Sequence, residues 1–63
     1  MDYFKLSVVY SAHHMTEDVF NNERAARQAF KDADLNPNVW GAKLHRCEFV
    51  NGKLETADCI LKS

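Results

Sequence analysis

The chain holds little of almost everything that marks a specialised class. Its 63 residues include two cysteines, one proline and two glycines. Two cysteines permit at most one internal bridge, which excludes the disulfide-dense scaffolds that small secreted domains rely on. So little proline and glycine excludes collagen-like and low-complexity chains. Long apolar runs are missing as well: Val8-Val9-Tyr10 and Cys59-Ile60-Leu61 fall far below the roughly 20 residues of a membrane span. The opening Met1-Asp2-Tyr3-Phe4 has no basic segment followed by an apolar stretch, so no signal peptide is expected. Neither charge sign dominates. Lys and Arg number 8 against 9 Asp and Glu, for a net charge of -1, a balance poorly suited to gripping nucleic-acid phosphates. The expected setting is a reducing cytoplasm.

What is present is an ordinary globular mixture, 46% apolar and 27% charged, expected to fold as one α+β domain over residues 1–63. A chain of this size buries only about 60% of its unfolded surface, so the expected core is small and the stability modest.

Residues 3–10 alternate with period two. Phe4, Leu6, Val8 and Tyr10 fall on one face, Tyr3, Lys5, Ser7 and Val9 on the other, which predicts a half-buried strand. Residues 11–22 are harder to place: Thr16 and Asn22 are both eligible as helix caps, and residues 13–22 stay open between loop, helix and a short extra strand. From there Ala26, Ala29, Phe30 and Ala33 follow helical spacing, predicting a helix over 23–34 that ends at Leu35-Asn36-Pro37. Two further strands, over 39–50 and 53–62, flank Asn51-Gly52, a pair suited to a type I′ hairpin turn.

The expected fold is therefore α+β: a single helix packed on a three-stranded, mainly antiparallel sheet in the order β-α-β-β, with the first strand beside the last. Its predicted core joins the alanine face and Phe30 to Phe4, Leu6, Val8, Trp40, Leu44, Cys59 and Leu61. A two-residue turn pairs Val50 with Lys53 and sets Glu48 against Glu55, an unfavourable like-charge pair. In that register the apolar side of the hairpin changes face near its middle. Either a β-bulge near Arg46 restores one buried face, or Phe49 and Leu54 stand exposed at the hairpin tip.

Candidate chemistry is sparse. In the uninterrupted register Cys47 and Cys59 lie on opposite faces, so no bridge is expected. His45, Cys47 and Asp58 form the one grouping with nucleophile, base and carboxylate, yet a bare strand face supplies no cleft and no oxyanion donors. No ligand spacing resembles a zinc frame. No enzyme activity, metal or cofactor is therefore expected. Arg46-Cys47-Glu48-Phe49-Val50 has some likeness to the central-strand motif of RNA-recognition modules, but Glu48 stands where that motif has a small residue. A nucleic-acid-binding domain using its sheet face is the alternative reading.

Taken together, the brevity, the β-α-β-β plan, the alanine-rich helix Arg24-Ala25-Ala26-Arg27-Gln28-Ala29-Phe30 and the closing hairpin from Lys43 to Leu61 carry a whole-chain resemblance. The chain resembles the small early proteins of tailed bacteriophages that bind and disable host enzymes or defence complexes. That resemblance implies a non-enzymatic protein-binding inhibitor acting in the host cytoplasm on a host protein or complex. The expected contact residues are Glu48, Phe49, Leu54 and Glu55 at the hairpin tip, with Asp32 and Asp34 as an acidic margin. A homodimer formed through an open sheet edge is compatible with this reading.

Overall fold

The computed structural model describes residues 2–50 and 52–63, and the side chains of all of these except Val50, Lys53, Leu54 and Glu55. Its elements are β1 (Asp2–Ser11), β2 (His14–Phe20), α1 (Glu23–Leu35), β3 (Gly41–Val50) and β4 (Lys53–Lys62). The architecture is α+β: one helix on a four-stranded antiparallel sheet ordered β2-β1-β3-β4.

This corrects the expectation of three strands with β1 beside the last. A short turn through Ala12 and His13 folds β2 back onto β1, and β3 takes the other side of β1. Both neighbours of β1 are then filled, and β4 pairs with β3 alone. The strand β2 has no apolar face to announce it. Met15 and Val19 point one way with Glu17 between them, while Thr16 and Asp18 share the other side with Phe20. An edge strand covered along little of its length needs no strict alternation.

The strand β1 and the helix follow the patterns read from the sequence. Asn22 caps α1, its Oδ1 accepting from the Arg24 and Ala25 backbone N–H groups at 2.8 and 3.2 Å, which satisfies two donors of the first turn. Glu23 and Arg27, one turn apart, form an ion pair at 2.8 Å. At the other end Asn36 leaves the helix with extended backbone, and Pro37 follows.

Ala26 is fully buried and Phe30 nearly so, and both meet Phe4, Leu6 and Val8 of β1 and Ala42 and Leu44 of β3. The small alanines let the helix axis approach the sheet, and Phe30 fills the space that remains. Tyr10, Phe20, Val39, Ile60 and Leu61 close the margins of this cluster.

The predicted core needs two corrections. Trp40 is 71% exposed, because β3 begins at Gly41, two residues after the expected start at 39. Its backbone N–H still donates to the Val9 carbonyl at 2.7 Å, so the chain is anchored there while the indole lies outside. Cys59 is exposed and sits on the face opposite the helix.

The cause of the second correction is in β4. Its pairing to β3 shifts twice, between Leu44 and His45 and again between Glu48 and Phe49, leaving Ile60 and Glu55 as the additional residues. The pairing of Val50 with Lys53 is as predicted, and Gly52 takes the positive φ of 78° that the turn requires; Asn51 lies outside the described residues. Glu48, however, pairs with Thr56 rather than Glu55. Two bulges, one on each side of Arg46, thus replace the single expected one. The extra residue at Glu55 turns Cys59 away from the helix, and the one at Ile60 brings Leu61 back toward it.

A diagonal ion pair closes the sheet near the hairpin end. The Arg46 guanidinium donates to the Asp2 carboxylate through both Nε and Nη2. That hydrogen bond, with the guanidinium charge, holds the Asp2 carboxyl below its ordinary value of 3.8. A carboxyl depressed in the folded state adds stability in full above that ordinary value and loses it as pH falls through the folded one. Asp2→Asn should therefore be less stable than the parent at pH 7, with the difference shrinking as pH is lowered below 3.8. Urea midpoints of the two proteins at several pH values check this, and a gap independent of pH would refute it.

Candidate functional site

The helix covers one face of the sheet. The opposite face carries Tyr3, Lys5, Ser7 and Val9 from β1, and Met15, Glu17 and Val19 from β2. It also carries Gly41, Lys43, His45, Cys47 and Phe49 from β3, with Ala57, Cys59 and Lys62 from β4. Among the described residues no second layer packs on it. Met15 is 60% exposed, Val19 63% and Phe49 40%.

Three regions divide this open face. At the hairpin end the rings of Tyr3 and Phe49 stack at 4.9 Å between centroids, and with Val19, Asp2 and Asn21 they line a shallow apolar hollow. In the middle, Lys5 and Glu17 form an ion pair at 2.6 Å beside the buried thiol of Cys47. Partial burial, and then the neighbouring Cys47 thiol, push the Tyr3 phenol above its ordinary value. At the far end, where Gly41 contributes no side chain, Ser7, Val9, Met15 and Lys43 surround a second hollow.

The residues expected to form one contact surface do not lie together. Phe49 belongs to the open face, whereas Glu48 is exposed on the helix side, opposite Asp2 and Thr56. Asp32 and Asp34 lie near the C-terminal end of α1. Asp32 accepts from the Gln28 amide at 3.0 Å and borders a groove with Val8, Tyr10 and Thr16. That end of the sheet is the one away from Tyr3 and Phe49. The side chains of Leu54 and Glu55 lie outside those described. Tyr3, Met15 and Val19 share the open face with Phe49 but are not among the expected contact residues: the alternation of β1 places Tyr3 on that face, whereas Met15 and Val19 carry no strand signal.

The grouping of His45, Cys47 and Asp58 is also divided. Asp58 pairs with Arg46 on the helix side, and His45 faces Cys59 instead. Cys47 and Cys59 therefore share the open face as diagonal neighbours, reversing the expectation that they lie on opposite faces. Among the described residues no three His, Cys, Asp or Glu side chains are grouped so as to hold a metal ion. His13 sits in the β1–β2 turn, its backbone N–H donating to Ser11 Oγ at 3.3 Å, and His14 meets the Tyr10 ring edge-on. No helix among the described residues is long and apolar enough to cross a membrane.

No protein-family model, no curated protein and no solved structure matches this chain.

Proposed function

We propose that this protein is a non-enzymatic binding module that docks a partner protein on the open face of its sheet and modulates that partner's activity. The carrying observation is the exposure of Met15, Val19 and Phe49 on a sheet face with no second layer. Exposed large apolar side chains grouped on one face are the usual mark of a contact surface. The Tyr3–Phe49 stack supplies a stiff aromatic anchor of the kind that carries binding energy in interfaces. The resemblance to small phage proteins supports a particular role, inhibition of a host enzyme or defence complex in the bacterial cytoplasm.

Capture from a nuclease-treated bacterial lysate tests this reading, using the parent, Val19→Glu and Asp34→Lys. The parent and Asp34→Lys should retain one stoichiometric protein whose activity falls when the module is added. Val19→Glu, altered at a position already 63% exposed, should fold and lose that protein. Retention by Val19→Glu, or loss of every partner after nuclease, would reject docking of a protein on this face. The second outcome would instead support a nucleic-acid ligand.

A further inference from the structure

Resting on the open-face reading, we propose that the partner presents an acidic surface, and that Lys43 and Lys62 anchor it. Lys43 and Lys62 are exposed and stand directly opposite each other on β3 and β4. Like charges in that arrangement repel and cost folding stability. Among the described residues neither enters an ion pair, whereas Lys5 on the same face is engaged by Glu17. Carboxylates brought in from outside would relieve the repulsion and complete the pairing.

The distribution of charge over the molecule points the same way. Among the described side chains the open face carries Lys5, Lys43 and Lys62 against Glu17, with His45 between the two ends. Among the described side chains acids outnumber bases on the helix side, so the two sides of a thin molecule carry opposite signs. A second copy laid on this face would bring the same excess of lysine over glutamate rather than the missing carboxylates, so an acidic partner is the better match. The hollow over Gly41 lies beside Lys43. A Cβ placed at Gly41 would meet only the Ser63 carbonyl oxygen, at 3.8 Å, so an apolar side chain has room to enter. The matching element is a carboxylate next to an apolar residue on the partner's surface.

A nucleic-acid strand fits less well. The aromatic rings at the hairpin end already stack on each other, Glu17 interrupts the face, and two unpaired lysines make no continuous phosphate track.

Titration of the isotope-labelled protein with poly-L-glutamate, and separately with a dodecathymidine oligonucleotide, tests the proposal at low and physiological salt. Poly-L-glutamate should shift the amide signals of Lys43, Lys62 and His45, and added salt should weaken the effect. Lys43→Glu converts the repelling pair into an attracting one, so it should raise the melting midpoint while weakening poly-L-glutamate binding about tenfold. A merely structural role for Lys43 would not produce that opposition. Undiminished binding by Lys43→Glu, shifts confined to the helix side, or preference for the oligonucleotide would each overturn the proposal. Failure here is separable from failure of the open-face reading. A protein captured by the parent and by Lys43→Glu but lost by Val19→Glu would reject the acidic partner and keep the docking face.

Discussion

Replacing Phe30 by alanine is expected to remove about 3–5 kcal/mol of folding stability, the range for truncating a buried aromatic side chain. A domain of this length holds on the order of 3–9 kcal/mol in total, so the loss takes about a third of the stability at the least and all of it at the lower end. The reason lies in how the helix is attached. Among the buried residues of α1, Ala26 brings the backbone close but adds little apolar area, and Phe30 supplies the bulk against β1 and β3. Without the ring, a cavity opens between the two layers where neither can collapse onto the other. Far-UV circular dichroism during thermal unfolding checks this, with helix and sheet signals expected to melt together at a much lower midpoint. An unchanged midpoint would mean that the helix is held by something other than this ring.

Leu44→Ala should cost about 2–5 kcal/mol. Leu44 is completely buried on a central strand, opposite Leu6 on one side and Leu61 on the other. Its loss therefore weakens contacts across three strands, and the damage should appear as a lower urea midpoint. His45→Ala, one residue along and on the opposite face, should change the midpoint far less. Similar losses in the two variants would contradict the assignment of the helix-facing side.

The elements legible in the sequence were those in which one physical rule acts alone. The alternation of β1 needed only the pleat, because Phe4, Leu6 and Val8 meet the helix without interruption. The cap at Asn22 and the stop before Pro37 are local chemistry. The strand β2 was illegible because it sits at an edge, where Phe20 alone of its large side chains packs on the core cluster. The two bulges of β4 were only half legible. A change of apolar face along the hairpin calls for an extra residue, but the pattern does not say that two separate ones, at Glu55 and Ile60, are used. That register decides the face of Cys59 and the partner of His45, so the sequence pattern misplaces both. Phe49 was identified from the hairpin, yet its companions Tyr3 and Val19 come from strands distant in sequence. Only the sheet order brings them together.

The double interruption of β4 also bears on how the molecule survives at high concentration. This strand is ten residues long and lies at the rim of the sheet, where a straight backbone would offer a template for fibrous growth. Each inserted residue breaks the regular rhythm of outward N–H and C=O groups and sharpens the local twist. An incoming strand would find its hydrogen-bonding groups in step over only a few residues before losing alignment. The same irregularity that sends Cys59 to the uncovered side thus discourages cross-β stacking along the longer rim, leaving the seven-residue rim of β2 as the smoother place for backbone pairing.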